Sequence, residues 1–437
     1  MLPSHRDYLA LAIPLILSTI TTPLLGAVDT AVIGHLSDAS YLGGVAVGTL
    51  IFNTLYWLFG FLRVSTSAFT AQAAGAQNND QSIAALMRPL AIALLIGGLF
   101  IILQKPILLA SLHLIHPAQD VAAQAAIYFN IRIWGAPLTL INYVMLGWLM
   151  GLSRVKATLF LQITMNAINM ILAIGFTQIM QWDVAGVAGA TLIAEALACI
   201  LGLVLILRSS VWREWLQSSG KKDWQSWFGV SELKSVMATN LDLMIRTACL
   251  LTMFNLFTSH SASFGTDQLA ANAILLQIHY IMAYFFDGFA NASSIMTGQA
   301  RGAGDRKMLQ RVIHLSWFWT LVTSVVTGGL YLALKEPLIR LFTDNATVIS
   351  LTGPYNGWLV VFPLAAGLGL VFYGVFTGMT VTYPIRNSML ISLLFFLAAL
   401  FWCVPHYGNH GLWLSFIVFA LGRSLFLVIY LPKLQRI

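Results

Sequence analysis

Charged residues are scarce in this sequence, since Asp, Glu, Lys and Arg together make up 9% of its 437 residues. Soluble domains commonly carry about 25% charged residues, which cover their surface with groups that bind water. The apolar share is 58% and the mean hydropathy is +0.81. These values exclude a soluble globular protein and indicate a protein that lies in the lipid bilayer.

Cysteine is scarce as well, with only Cys199, Cys249 and Cys403, and each falls within an apolar stretch. Their spacing fits no metal site, and three buried thiols are typical of packing rather than of a disulfide framework. The sequence has no Gly-rich phosphate-binding loop, so nothing indicates that ATP drives the protein. We therefore expect no cofactor and no metal.

Long apolar runs are abundant instead. Twelve stretches reach about 20 residues, the length that crosses a bilayer as an α-helix. Backbone polar groups in lipid must be hydrogen-bonded within their own segment, so the stretches are predicted to be helices. We predict an all-α polytopic membrane protein with twelve transmembrane helices, called spans 1 to 12. Their approximate limits are 8–35, 42–74, 86–110, 121–149, 157–180, 186–208, 233–260, 268–298, 309–333, 349–377, 388–404 and 411–431.

The net charge of +7 follows the predicted topology. Sixteen Lys and Arg residues in the loops or near the ends of spans fall on the side of the N-terminus, and three, Lys105, Lys335 and Arg340, fall on the other. Cytoplasmic loops carry the excess of Lys and Arg, so both termini are predicted to be cytoplasmic. This distribution explains the basicity without a nucleic-acid partner. The first residues enter span 1 directly, and we expect no removable signal peptide.

The two halves of the sequence resemble each other. Residues 42–76 align without a gap on residues 269–303, with ten identities in 35 positions. We call this alignment the repeat register, and its continuation places Gly147 on Gly374 and Gly151 on Gly378. Because the repeat register moves the chain by six spans, it preserves orientation and predicts two pseudo-symmetric six-helix lobes.

The predicted first lobe is 1–207 and the predicted second lobe is 233–437. A polar, charge-dense segment at 208–232 joins them and is predicted to be a cytoplasmic linker. Its tryptophans are also typical of a stretch that lies at the membrane interface.

Eight ionisable residues fall in the middle of spans, where charge is costly and usually marks a pathway or an ion pair. Each half has two acids and two bases. They are Asp29, Glu195, Arg63 and Arg132 in the first half, and Asp242, Asp287, Arg246 and Arg423 in the second. Structural ion pairs and functional roles are both compatible with this balance.

Asp29 is predicted to lie roughly 9 Å below the outer end of span 1, whereas Arg63 lies about 31 Å along span 2. Asn169 and Thr191 fall about 16 and 8 Å from the outer side on spans 5 and 6. Asp29 is therefore expected among amides and hydroxyls, which serve a carboxylate in either protonation state. We predict that Asp29 is a proton switch, and a structural ion pair with Arg132 is the alternative.

Span 1 also contains residues that allow it to bend. Pro14 and Pro23 each remove a backbone hydrogen bond, and Gly26 lies nearby. The polar face of the span is made by Ser18, Thr22, Gly26 and Asp29 at helical spacing. A bend coupled to protonation of Asp29 is one hypothesis, and a static kink is the other.

The second half has a polar stripe along span 8, which must face protein or water. It consists of Gln277, Tyr280, Tyr284, Asp287, Asn291 and Ser294. Asp242 and Arg246 lie four residues apart on span 7, so we expect them to form a cluster with Asp287. The stripe predicts either a substrate cavity or a structural polar network.

Three segments resemble the multidrug and toxic compound extrusion (MATE) transporters, and in particular their DinF-like branch. They are "PLLGAVDTAVIGHL" on span 1, "FLRVSTSAFTAQAAGA" on span 2 and "FFDGFANASSIMTGQARGAGD" on span 8. The resemblance covers essentially the whole chain. It implies a V-shaped pair of six-helix lobes, alternating access, and efflux of cationic or amphiphilic small molecules driven by entry of protons or sodium.

The resemblance also implies roles for residues of the first lobe. Asp29 matches the family's span 1 carboxylate, the expected proton-coupling site, and Asn169 and Thr191 match polar residues of the same cluster. Some members have a second carboxylate where this chain has Ala173, so we favour protons over sodium, although sodium coupling stays open. A family tyrosine that would line the first-lobe cavity with Ser18 and Thr22 corresponds to Tyr143 or to Tyr128. Asp242, Arg246 and Asp287 resemble charged second-lobe residues of the DinF-like branch.

The rival hypotheses are a sodium-coupled antiporter, a lipid-linked oligosaccharide flippase, a major-facilitator carrier, a membrane enzyme and a channel. A flippase would be expected to line its cavity with several cations, whereas the mid-span charges balance. An enzyme would need a cluster of nucleophile, metal ligands or paired acids at one interface, and the sequence has none. We predict a proton-coupled exporter in the bacterial inner membrane, acting as a monomer.

Overall fold

The computed structural model describes residues 2–34, 39–218, 227 and 229–434, and it describes their side chains except at 21–34, 39 and 230–232. These residues are almost all helical. The α-helices are α1 (His5–Gly34), α2 (Ala39–Leu58), α3 (Phe61–Gly75), α4 (Asn79–Ile102), α5 (Gln104–Ile115), α6 (Gln119–Arg132), α7 (Ala136–Gly151), α8 (Val155–Ile174), α9 (Asp183–Leu207), α10 (Ser210–Gln217), α11 (Val230–Ser263), α12 (Thr266–Gly302), α13 (Arg306–Arg340), α14 (Ala346–Thr352), α15 (Asn356–Gly378), α16 (Tyr383–Tyr407), α17 (Asn409–Val428) and α18 (Leu431–Leu434).

Eleven helical segments of the described chain are long and apolar enough to cross a bilayer, and they match spans 2 to 12 in order. Span 1 lies on α1, and part of it falls outside the residues searched for spans. Large apolar side chains such as Leu95 and Phe401 are 71% and 73% exposed in the middle of helices, as expected of a surface that meets hydrocarbon. The predicted fold class, an all-α polytopic membrane protein, is confirmed.

The limits of span 3 differ from the prediction. The segment begins at Asn79 and ends at Ile102, whereas the sequence predicts 86–110. Asn78 caps the start of α4 by accepting a hydrogen bond from the backbone N–H of Gln81. The helix therefore begins more than one turn before the predicted apolar run. A second helix, α5, then begins at Gln104 and carries the remainder of the predicted span.

The chain forms two compact units: a first unit of Leu17–Met237, and a second unit of Met1–Ile16 with Ala238–Ile437. Tyr8 shows why the start of α1 belongs to the second unit. Its hydroxyl lies 2.6 Å from Ser293 Oγ, which in turn lies 2.8 Å from Ser316 Oγ. All three side chains are buried, so this hydroxyl cluster fixes α1 to α12 and α13. The predicted lobe limits, 1–207 and 233–437, stay a prediction.

The packing of the helices follows the repeat register. In the first unit a Cβ on Gly147 would clash with the carbonyl of Arg63, and in the second unit a Cβ on Gly374 would clash with the carbonyl of Ala290. The repeat register places Arg63 on Ala290, just as it places Gly147 on Gly374. The glycines therefore allow α7 to approach α3, and α15 to approach α12, in the same way.

The turn after α3 has its counterpart in the turn after α12. Gln77 and Gly304 both have a positive φ, 53° and 64°. The next residues, Asn78 and Asp305, both cap a helix with the side chain, which accepts from the backbone N–H three residues on. The internal repeat thus extends from helix contacts to the conformation of single turn residues.

Two tryptophans of the predicted linker face protein rather than the membrane interface. Trp215 and Trp227 are 4% and 1% exposed. Their indole N–H groups donate to the two carboxylate oxygens of Asp80 at 3.2 and 3.1 Å. The described part of the linker is therefore docked against the start of α4. Interfacial placement is wrong for these two residues, because a carboxylate of the protein supplies the acceptor that each indole N–H needs.

We predict that Gly374→Ala lowers the free energy of unfolding by about 1–3 kcal/mol, because the added methyl group would meet backbone that cannot move aside. Gly147→Ala should have a similar effect in the first unit. Gly329→Ala is the matched control, since a Cβ there meets nothing within 4 Å. Thermal unfolding of detergent-solubilised protein measures the difference. Equal stability of the Gly374→Ala and Gly329→Ala variants would contradict the close approach.

Candidate functional site

The structure brings together Asn169 and Thr191, two of the three predicted coupling residues. Asn169 Nδ2 donates to Thr191 Oγ1 at 3.1 Å, and that hydroxyl donates to the carbonyl of Val187 at 3.1 Å. Both side chains are buried, at 3% and 8% exposed. Among the described residues, Asn169 Oδ1 has no hydrogen-bond partner. The pair thus presents a buried acceptor, which suits a protonated carboxylic acid or a cation.

The end of α8 positions this pair. Ala173, one turn after Asn169, is fully buried, and its carbonyl accepts from Thr177 Oγ1 at 2.7 Å. Residues Gly175–Ile179 then form a π-helical turn, a feature that is frequent at functional sites. Position 173, where the resemblance allows a second acid, is therefore closely packed and apolar here.

The remaining first-lobe predictions are only partly described. Pro14 is half-buried, and Ser18 is 9% exposed. Thr22, Pro23, Gly26 and Asp29 lie outside the described side chains. The backbone of α1 is helical from His5 to Gly34, through both prolines. Coupled bending of α1 and the role of Asp29 stay predictions.

Arg132 is paired with Glu195. Its Nη2 lies 3.1 Å from Glu195 Oε1, and its Nη1 donates to the Tyr128 hydroxyl at 3.0 Å. The guanidinium also lies 5.3 Å from the centroid of the Phe52 ring, a cation–π contact. The Arg132 and Glu195 side chains are 14% and 8% exposed. Arg132 thus has its carboxylate in Glu195, which weakens the alternative that Arg132 holds Asp29 as an ion pair.

Both candidate tyrosines lie near this pair. Tyr128 is 3% exposed and contacts Arg132 directly. Tyr143 is half-buried and packs against the apolar cluster that contains Tyr128. Tyr128 is therefore held in the ion-pair network, while the choice between the two as cavity residues stays open.

In the second unit, the expected cluster of Asp242, Arg246 and Asp287 is replaced by separate contacts. Asp242 Oδ1 lies 2.8 Å from Arg386 Nη1, and its Oδ2 accepts from Thr382 Oγ1 at 2.8 Å. Sequence spacing missed this pairing because Arg386 falls in a predicted cytoplasmic loop. Arg386 lies in the first turn of α16, and its long side chain reaches the buried carboxylate.

Arg246 instead lies with its Cζ 3.9 Å from the centroid of the Tyr373 ring. Asp287 accepts from Asn291 Nδ2 at 3.1 Å, one turn along the same helix. Neither Tyr373 nor the pairing of Asp287 with Asn291 could be assigned from charge alone, because aromatic rings and amides bind ions without carrying charge.

The rest of the polar stripe varies in exposure. Gln277 is exposed, while Tyr280 and Tyr284 are half-buried. Tyr280 packs beside Phe254, with ring centroids 5.2 Å apart. At Tyr280 the stripe therefore borders an aromatic side chain.

Sequence reasoning missed His279, which precedes Tyr280 on α12. Its side chain is 6% exposed, and its ring lies edge-on to Phe362 at 4.3 Å and to Phe416 at 5.0 Å. In the described part of the chain, its Nδ1 has no hydrogen-bond partner. An apolar helix face gives no sequence signal for such a histidine.

Comparison with known proteins bears on the family and the fold of the chain. The family model described as MatE matches residues 14–174 and again residues 243–402, once in each half of the chain. The "DNA damage-inducible protein F" of Escherichia coli K12 is 36% identical over 415 residues, which cover 95% of this chain and 89% of that protein.

Solved structures share the fold at low sequence identity. One is described as the "Outward-facing conformation of a multidrug resistance MATE family transporter of the MOP superfamily". It superimposes with a TM-score of 0.86 at 17% identity, covering 98% of this chain and 96% of that one. The Vibrio cholerae MATE transporter VcmN in the bent form has a TM-score of 0.84 at 18% identity, covering 99% and 97%.

We predict that Arg132→Gln and Glu195→Gln each lower the free energy of unfolding by about 3–5 kcal/mol, because each leaves a buried charge without its partner. The double variant should lose less than the sum of the single losses. Lys156→Gln, at an exposed position of α8, is the control. Thermal unfolding of wild type, the two single variants and the double variant completes the cycle. Additive losses would show that the two charges do not stabilise each other.

Proposed function

Because the chain belongs to the MatE family, whose members are membrane transporters and not enzymes, we propose that it exports cationic or amphiphilic small molecules by proton antiport. The observation that carries this proposal is the buried Asn169–Thr191 pair with its unfilled acceptor oxygen. The multidrug resistance named for a structural neighbour supports the substrate class. Family membership also argues against the flippase hypothesis.

In the proposed cycle, Asp29 takes up a proton from the outer side. A neutral carboxylic acid can donate to Asn169 Oδ1, whereas a carboxylate cannot, so protonation changes which hydrogen bonds are available. α1 then bends near Pro14 or Pro23, Ser18 and Thr22 move with it, and the bound compound is released outward. Reopening to the cytoplasm returns the proton there, so that each cycle couples one inward proton to export.

Two observations favour protons over sodium. Ala173 supplies no carboxylate, and it is fully buried, so no side-chain oxygen comes from this position. Hard cations prefer several oxygen ligands, which a site with one acid provides less well. The sodium-coupled antiporter remains the second candidate, and imposed gradients separate the two.

We propose that both termini are cytoplasmic and that the transporter acts as a monomer in the bacterial inner membrane. The distribution of Lys and Arg supports this orientation, since sixteen of these residues lie in loops or near span ends on one side and three on the other.

Asp29→Asn should abolish dye export driven by a pH gradient in proteoliposomes, because an amide cannot release a proton in this range. Asp120→Asn, at an exposed position in the first turn of α6, is the control and should transport as the wild type does. Proton-dependent export by the Asp29→Asn variant at the wild-type rate would remove Asp29 from the mechanism.

Exchange of one proton for one monovalent cation moves no net charge, so the pH gradient alone should drive it. We expect the dye ratio to change by up to about tenfold per pH unit, because one unit corresponds to about 1.4 kcal/mol. A sodium gradient at equal pH should have no effect. Export driven by sodium with pH held constant would favour the sodium-coupled candidate instead.

A further inference from the structure

Two half-buried arginines, Arg246 and Arg423, lie on membrane-spanning helices of the second unit. Arg246 is near the middle of α11, which runs from Val230 to Ser263. Arg423 on α17 packs at Gly369, one helical turn from the Tyr373 ring that Arg246 contacts, so the two like charges lie close enough to repel each other. The ion pairs between described residues, Arg132–Glu195 and Arg386–Asp242, include neither of these arginines. A purely structural arginine at this depth would be expected to have such a partner.

The nearby acids do not balance this pair. Asp242, which the sequence places one turn from Arg246, has Arg386 and Thr382 as its partners. Asp287 is the remaining mid-span carboxylate, and it offers one negative charge to two positive ones. These charged residues of the second unit therefore carry one positive charge in excess.

Both arginines are held in place without using their polar hydrogens. Arg246 lies over the face of Tyr373, a contact that leaves its N–H groups available. The stem of Arg423 packs at Gly369, where a Cβ would lie 3.0 Å from Arg423 Cγ. The next residue, Ser424, accepts from the Gly369 N–H at 2.8 Å and thereby fixes α17 against α15.

Aromatic side chains lie beside the charged pair. Arg423 is within electrostatic range of His279, whose ring packs among Phe254, Tyr280 and Phe416. Phe254 and Tyr280 are half-buried and hence accessible in part. An amphiphile with an acidic group could thus place the acid at the arginines and its rings against these side chains.

We propose that Arg246 and Arg423 form a binding site for the anionic group, a carboxylate, sulfonate or phosphate, of an amphiphilic ligand. Guanidinium groups match such anions because their N–H donors are arranged as a fork. This inference rests on the proposed export function and widens it, since the transported class would then include anions and zwitterions. The anionic group belongs either to an exported compound or to a membrane phospholipid.

The test compares two dyes on one tricyclic scaffold, fluorescein, which is anionic, and rhodamine 6G, which is cationic. Their binding to the full chain in phosphatidylcholine nanodiscs is measured by fluorescence anisotropy. Arg246→Gln and Arg423→Gln should each weaken fluorescein binding by about tenfold, the factor that corresponds to loss of one charged hydrogen bond. Rhodamine 6G should bind as tightly as before.

Two variants serve as controls. Arg423→Lys keeps the charge but loses the fork of donors, so it should weaken fluorescein binding less than Arg423→Gln does. Arg340→Gln removes an exposed arginine at the end of α13 and should leave both dyes unaffected. Unchanged fluorescein affinity in the double Gln variant, or equal loss of both dyes from a folded variant, would overturn the proposal.

Phosphatidylglycerol in the nanodisc distinguishes the two sources of the anion. If phosphatidylglycerol competes with fluorescein for the wild type but not for the Gln variants, the site is supported and lipid phosphate is identified as an occupant. Arginine-dependent fluorescein binding that this lipid leaves unaffected would support the site for exported compounds. Export of rhodamine 6G by the reconstituted wild type separates the two proposals. If the wild type does not export rhodamine 6G, the export function is refuted. If it exports rhodamine 6G but fluorescein binding does not depend on the arginines, only the anion site is refuted.

Discussion

Charge and backbone polarity inside hydrocarbon must be satisfied within the protein, and the rest of this structure depends on that constraint. In the described part of the chain, each unit meets it with an internal ion pair. Arg132 pairs with Glu195 in the first unit, and Asp242 pairs with Arg386 in the second. Because these charges are engaged, they are not available for transport. The described groups on which the two proposals rest are the amide of Asn169 in the first unit and the two guanidinium groups in the second.

The internal repeat preserves the contacts between helices but not the positions of the charged residues. The glycine contacts and the capped turns recur in the repeat register, yet the same register places Arg132 on Leu359 and Glu195 on Gly422. In the other direction, Arg423 falls on Ala196. Helix approach needs only small residues at fixed positions, so it survives in both halves. Charges are free to differ, which gives the two units different chemistry on one scaffold.

Sequence alone predicts those features that depend on local composition or register. Apolar length locates the spans, and a gap-free alignment reveals the repeat. The sequence does not predict which side chains pair with each other, because that pairing depends on tertiary contacts. Glu195 is far along the chain from Arg132, Arg386 reaches Asp242 from outside the predicted span, and the hydroxyl of Tyr8 joins the start of α1 to the second unit. Each of these depends on which helix faces which, and hydropathy is the same for many such arrangements.

The charge of the substrate determines whether the pH difference or the membrane potential drives its export. Under proton antiport, one proton exchanged for a monovalent cation is electroneutral, and only the pH difference contributes. One proton exchanged for a monovalent anion moves two charges inward, which is worth about 4.6 kcal/mol per 100 mV, or about three orders of magnitude in concentration ratio. A second unit with surplus positive charge would thus select the substrates for which the membrane potential gives the larger driving force. The arginines of one unit and the carboxylate of the other would then determine the energetics of the same cycle.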